Sequence, residues 1–355
     1  MSDGEEALKS EETGVARGEE SRGFSPAQMV RCEACLRANS PTRMNCLYCG
    51  AALPIPEAGI DLRRPVPTWV EEGKPAFNIV LIPRSTATAR AGSRLSERAF
   101  ADAADLLHLE TGQLKEIIEA NEGLPLVRVA SREEAELVER KLGALGLPVR
   151  LFSDEDLSLD TPLQRIRKLE LTGATIKGRT KDGPIHSFEW ADIRLFVTGR
   201  LFTKRVEVEE RHGRFAAEQE IVDSRELQED EAVLDVYFAG QREGCRIMAH
   251  SFDFSCLEER KSLLVEENFR ALVAMLRERA ASARYDDSYP RRRRLLGLVW
   301  PVGQHTEAGG LRRGRPGRFN TETITLMSNE MQFTRYSRLQ RRLLELPRDG
   351  SAPEV

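Results

Sequence analysis

From Phe77 onward the hydrophobic positions change period along the chain. Phe77-Asn78-Ile79-Val80-Leu81-Ile82 is an apolar run of strand length. A helix is predicted from about Ser96, because Ala99, Phe100, Ala103 and Leu107 recur on one face. A short second helix follows from about Gln113 to Ala120, and Leu124 to Ala130 has the pattern of another strand. Ser131-x-x-Glu134 is a capping box. It opens a helix with Ala135, Val138, Leu142 and Leu145 on one side, and Gly146 supplies the stop. Pro148 to Phe152 closes the stretch as a strand. The predicted order over residues 77–153 is β-α-α-β-α-β.

From about Leu163 the period becomes two. Strands are predicted at Leu169–Leu171, Ile185–Trp190, Ile193–Phe202, Arg205–Glu209, Glu218–Val222, Ala232–Phe238 and Cys245–Phe252, with polar or Gly-rich turns between them. A long amphipathic helix from about Leu263 to Ala280 carries Phe269, Leu272, Val273 and Leu276 as its stripe. An antiparallel meander needs its exposed end covered, and this helix is expected to cover it. The texture shifts again at residue 284. Arg291, Arg292, Arg293 and Arg294 are consecutive, and Arg312, Arg313, Arg315 and Arg318 follow in a Gly/Pro-rich stretch predicted as loop. A helix after Ser328 would place Tyr336, Leu339, Leu343 and Leu346 on one face.

Ahead of Phe77 no such period exists. Residues 1–28 are acidic, rich in Ser and Gly and poor in large apolar groups, the composition of a disordered tail. Residues 52–76 carry Pro54, Pro56, Pro65, Pro67 and Pro75 and predict a semi-extended linker. Between the two lie Cys32-x2-Cys35 and Cys46-x2-Cys49, ten residues apart. Each Cys-x-x-Cys turn can aim two thiolates to one side, and four thiolates complete the tetrahedral shell that zinc prefers. Residues 29–53 are too few to bury a core of their own, so one structural Zn2+ would have to supply the folding free energy. Four cysteine ligands leave no open coordination position for catalysis.

Length and composition narrow the class further. A chain of 355 residues predicts roughly two or three domains. The net charge of -4 excludes a polyanion binder as a whole. Residues 284–342 differ, with thirteen arginines, no lysine and five acids. That local excess is the footprint of a phosphate-binding or anionic-membrane face, or of a solvated surface paired to acids elsewhere. Cys245 and Cys256 are expected to be reduced thiols, and Cys256 a buried one. The five histidines have no metal-like or triad-like spacing, and no phosphate loop, Rossmann fingerprint or nucleophile elbow occurs. No apolar run reaches membrane-spanning length and no signal-peptide core is present, so a cytoplasmic location is expected.

Three resemblances add to this. Cys32-x2-Cys35-x3-Asn39-x6-Cys46-x2-Cys49 resembles the Ran-binding-protein type of zinc finger, and Asn45-Cys46-Leu47-Tyr48-Cys49-Gly50 equally resembles the second knuckle of bacterial zinc ribbons. Fingers of the first type can stack an RNA base on a tryptophan two residues before the first cysteine, where this chain has Val30. Phe77-Asn78-Ile79-Val80-Leu81, Thr111-Gly112-x-Leu114-Lys115-Glu116 and Ser131 to Glu136 leading to Lys141–Gly146 resemble the carboxy-terminal domain of the ribosomal stalk protein, whose fold the Clp adaptor shares. That resemblance implies a domain that holds protein partners. Glu97, Asp102 and Asp105 stand where the stalk helix is lysine-bearing and apolar, so translation-factor binding is not implied. The meander with its closing helix, and Trp190-Ala191-Asp192-Ile193, resemble a pleckstrin-homology-like (PH-like) domain.

The expectation is thus a multi-domain α+β protein. A disordered tail (1–28) precedes a four-cysteine zinc ribbon (29–54) and a Pro-rich linker (55–76). A stalk-like domain (77–155), a helix-capped antiparallel PH-like barrel (160–283) and an Arg-rich extension (284–355) follow. The expected function is a non-catalytic adaptor or scaffold with protein partners. RNA association through the zinc module and the two arginine groups, and peripheral binding to anionic membranes, stay open as alternatives.

Overall fold

The computed structural model describes residues 29–40, 43, 46–51, 53, 74–83, 95–181, 183, 185–212, 219–315 and 318–346. The chain divides into two compact units, Met1–Arg64 and Pro65–Val355.

In the first unit, strands β1 (Val30–Arg31) and β2 (Ala38–Asn39) pair antiparallel. The core contains Val30, Cys32, Cys46 and Leu53. Its predicted neighbours, the tail 1–28 and almost all of the linker, lie outside the described residues.

The second unit is mixed α+β. β3 (Phe77–Leu81) sits between β4 (Leu124–Val129) and β5 (Val149–Ser153), antiparallel to both. α1 (Glu97–Leu107), α2 (Thr111–Ala120) and α3 (Arg132–Ala144) are the three intervening helices. Ser96 Oγ accepts the Ala99 N–H at 3.1 Å and Ser131 Oγ accepts the Glu134 N–H at 3.2 Å, so both starts are fixed by N-caps. Arg128, buried in β4, reaches Asp154 at 2.7 Å and ties the sheet to the chain leaving β5.

The larger sheet has the order β14 (Gly303–Arg315), β15 (Arg318–Ser328), β10 (Ile193–His212), β11 (Gln219–Phe238), β12 (Gly244–Met248) and β6 (Gln164–Ile166), with β13 (Arg284–Asp286) added parallel to β10. β10 (Ile193–His212) and β11 (Gln219–Phe238) each run 20 residues. The sequence pattern divided each into two short strands. Thr203-Lys204 and Asp223–Asp230 are polar enough to look like turns, yet nothing in them breaks an extended backbone. β12 (Gly244–Met248) and β6 (Gln164–Ile166) extend the sheet beyond the base of β11. β7 (Lys168–Leu171), β8 (Thr175–Arg179) and β9 (Ile185–Glu189) form a separate three-stranded sheet. No sheet closes into a barrel among the described residues.

Both faces of the large sheet are covered at its base. Ile193, Phe196, Leu234 and Val236 join a core with α4 (Val265–Arg279), which buries Phe269, Leu272, Val273 and Leu276. Leu195, Val197, Val233 and Tyr237 face the other way, into a core shared with β3, β4 and the α1–α3 layer. Residues 284–346, set apart by composition as an extension, supply much of that second core. They form β13 (Arg284–Asp286), α5 (Tyr289–Leu296), the hairpin β14 (Gly303–Arg315) and β15 (Arg318–Ser328), and α6 (Glu330–Glu345). Trp300 is fully buried and its indole N–H donates to Asn78 Oδ1 at 2.9 Å. Gln332 Nε2 donates to the Trp300 carbonyl at 2.6 Å, and the Tyr336 hydroxyl to Asp286 at 2.9 Å.

At Gly199 of β10 there is no room for a side chain beneath α5 and α6. A Cβ there would lie 2.5 Å from the Phe333 ring and 3.0 Å from Tyr289. Gly199→Ala should therefore cost about 1–3 kcal/mol through overpacking, read as a lower midpoint in chemical denaturation. An unchanged midpoint would mean that the two rings can step aside at no cost.

Candidate metal centre

The four cysteines arrive on two turns of the same build. In the first, Leu36 N–H donates to the Cys32 carbonyl at 2.8 Å and Cys32 N–H to Arg37 O at 3.0 Å. In the second, Gly50 N–H donates to the Cys46 carbonyl at 3.0 Å and Cys46 N–H to Ala51 O at 2.8 Å. The fifth residue of each turn has a left-handed backbone, φ 61° at Leu36 and φ 75° at Gly50. Glycine meets that requirement without strain, whereas Leu36 carries a cost in the same position.

The two turns place four Sγ atoms within 4.8 Å of one another. Cys32 and Cys49 are 3.6 Å apart and Cys35 and Cys46 are 3.5 Å apart. A tetrahedron with metal–sulfur bonds of about 2.3 Å has edges of about 3.8 Å. The donor set and its spacing therefore fit one metal ion, and among the described residues no other Cys/His/Asp/Glu group of three or more gathers in this way.

Hydrogen bonds prepare the sulfurs unequally. Burial raises the Cys46 thiol, but the backbone N–H groups of Tyr48 and Cys49, with Cys35 and Asn39, lower it to about 6. The Arg37 backbone lowers Cys35, yet burial and the three neighbouring thiols push it up to about 12. Cys35 and Cys46, 3.5 Å apart, thus compete for a proton in the absence of a cation. A bound dication would remove that competition by stabilising every thiolate.

Asn39 is the outer support. It is buried, its Oδ1 accepts Leu47 N–H at 2.9 Å, and its Nδ2 donates to Arg37 O at 2.9 Å and to Cys46 Sγ at 3.5 Å. It joins the first turn to the second. Spacing singled out Asn39 but could not show these bonds. Sequence reading also missed what the turns expose. Leu36 is 67% exposed, Leu47 61% and Tyr48 54%. The Arg37 guanidinium lies 4.7 Å from the Tyr48 ring centroid. Two leucines directly following ligand cysteines, in a module with almost no core, were the available signal.

The arginine candidates have different surroundings. Arg292 makes a two-pronged pair with Glu122 at 2.7 and 2.9 Å, and Arg294 pairs with Glu116. Arg291 reaches Asp287 at 3.1 Å, and Arg293 lies over the Phe202 ring at 4.3 Å. Arg312, Arg313, Arg315 and Arg318 have backbones in the β14–β15 hairpin rather than in a loop, and their side chains lie outside the described residues. Burial pushes the remaining thiols up, Cys245 to about 12 and Cys256 to about 11, so neither is poised as a nucleophile. No described helix is long and apolar enough to cross a membrane.

Compared with known proteins, the chain matches no family model, no curated protein and no solved structure.

Proposed function

We propose that this protein is a zinc-binding, non-catalytic adaptor or scaffold acting through protein–protein contacts in the cytoplasm. The observation that carries the reading is the pair of cysteine turns that hold Leu36, Leu47 and Tyr48 out into solvent around one metal cage. Exposed apolar and aromatic groups on a small fixed surface are what a protein partner covers. Zinc is the ion that four thiolates at this spacing favour, and it would be structural because the shell is complete. The β-α-α-β-α-β order of residues 77–153 supports a stalk-like domain that holds protein partners. The sheet with α4 along one face supports a PH-like unit, in an open rather than closed form.

RNA and membrane binding draw less support. Three of the four consecutive arginines already pair with carboxylates of the same unit, and Val30 stands where an RNA-binding finger of this spacing has its stacking tryptophan. The test is capture of partners by the full-length protein at low and raised salt, with and without nuclease. Protein partners should survive both treatments. Replacing Leu36 and Leu47 by Ser should weaken their capture about tenfold or more while leaving metal content unchanged. Partners lost on nuclease treatment would move the assignment to nucleic acid, because phosphate contacts release counterions.

A further inference from the structure

The two long hairpins run past both cores as an arm with the strand order β14-β15-β10-β11. Residues Ser224–Asp230 of β11 and Gln304–Ala308 of β14 are all exposed, Leu227 at 61%. β12 pairs only with Val233–Tyr237 of β11. Among the described residues no strand therefore lies beyond Gln219–Ala232 on one side or beyond β14 on the other. Each side is an open row of backbone donors and acceptors about a dozen residues long, a template for another strand.

The edges differ in charge. Residues 219–231 hold six acids and one arginine, and residues 303–315 hold three arginines and one acid. Pairing of the acidic edge with its own copy is disfavoured by like charge, while pairing with the other edge is not. Direction also fits. The four strands alternate, so a second arm placed beside the first sets its β11 antiparallel to the neighbouring β14.

The register links the edges row by row. Arg225, Glu207, Ile324 and Glu307 share one row across the arm. Glu220, Arg211, Asn320 and Arg312 share another, and Ile221, Glu210, Thr321 and Leu311 the one beside it. Gln228 and Gln304 end a fourth row. When rows align between neighbouring arms, Arg225 of one copy meets Glu307 of the next, Glu220 meets Arg312, Ile221 meets Leu311, and Gln228 meets Gln304. We propose that the arm joins copies of this chain head to tail, the β11 edge of one copy pairing in row register with the β14 edge of the next. The interface is heterologous, so it propagates. Sheet twist rotates each added copy and fans the globular bodies around the arm axis.

The experiment is sedimentation velocity of the full chain over a concentration series, combined with charge reversal. The wild type should form species beyond the dimer as concentration rises. Arg225→Glu or Glu307→Arg alone should raise the concentration for half-association about fivefold, by setting like charges opposite each other. The double variant should restore it. Circular dichroism and thermal melting identify any variant that fails to fold. A second measurement does not depend on charge. Ser224 and Ala308 end one row, so copies bearing Ser224→Cys mixed with copies bearing Ala308→Cys should cross-link to each other on oxidation. A protein that stays monomeric at high concentration overturns the proposal. So does assembly that stops at a dimer, a double reversal that does not rescue, or cross-linking no better than that of two unmatched positions.

Discussion

Stripping the metal with a strong chelator unfolds residues 29–53 and leaves Pro65–Val355 with its thermal transition in place. This is the largest effect expected for the molecule. The described core of the first unit is Val30, Leu53 and two of the ligands themselves. Chains below about 40 residues rarely fold without a metal or a cross-link, whereas a structural zinc contributes on the order of 10 kcal/mol or more. Cys46→Ser should act like the chelator, because Cys46 Sγ is also where the Tyr48 N–H (3.4 Å) and Asn39 converge. Asn39→Ala should be milder, a loss of about 10- to 100-fold in metal affinity. Metal content by mass spectrometry, thiol titration and limited proteolysis read all three variants. If residues 29–53 stay protease-resistant without metal, the cage does not hold this unit together. If the transition of Pro65–Val355 moves with it, the two units are not independent.

The second large effect lies beneath α6. Asp235→Ala should destabilise the second unit by about 3–5 kcal/mol, because it strands a buried cation. Asp235 and Arg246 stand opposite each other on β11 and β12. Both are buried, and they form two hydrogen bonds of 2.7 and 2.8 Å. Burial alone would lower the basicity of the guanidinium, and the Asp235 charge overcomes this and holds it above its ordinary value. Glu330, at the start of α6, reaches the same guanidinium at 3.2 Å, and the Phe333 ring packs against it. The pair thus pins the last helix to the sheet. Replacing both partners together, Asp235→Leu with Arg246→Met, should recover most of the loss, since an apolar pair needs no desolvation offset. Denaturant titration measures both variants. A loss of under about 1 kcal/mol for Asp235→Ala would mean that water or Glu330 replaces the lost partner.

Local signals in the sequence located what depends on near neighbours. The cysteine spacing identified the four thiols that the structure gathers into one cluster able to hold a metal ion, because a Cys-x-x-Cys turn is complete within five residues. Ser96 and Ser131 marked two helix starts through bonds to residues three positions on. The stripe of α4 gave its buried face, since one apolar stripe against one core is enough to hold it. The length of β10 and β11 was not legible. Their outer halves are mostly polar in sequence and are held by cross-strand pairing rather than by a core. The arginines at 291–294 looked like a surface for anions because Glu116 and Glu122, which engage two of them, lie more than 160 residues earlier.

α6 shows the division most clearly. Its pattern gave an amphipathic helix with Tyr336, Leu339, Leu343 and Leu346 on the inner side. The structure buries Gln332, Ser337, Arg338, Gln340 and Arg341 as well. Each finds a distant partner. Ser337 meets the Tyr237 hydroxyl at 2.8 Å, Arg338 the carbonyls of Leu157, Ser158 and Thr161, and Arg341 the carbonyl of Arg242. By itself the sequence determined a four-cysteine cluster that could hold one metal ion, the secondary elements with a clean period, and the apolar faces they must bury. Only the tertiary structure decided that a polar, arginine-rich helix lies inside. A buried charge is tolerable when its hydrogen-bond partners are in place, and chain topology alone brings those partners to it.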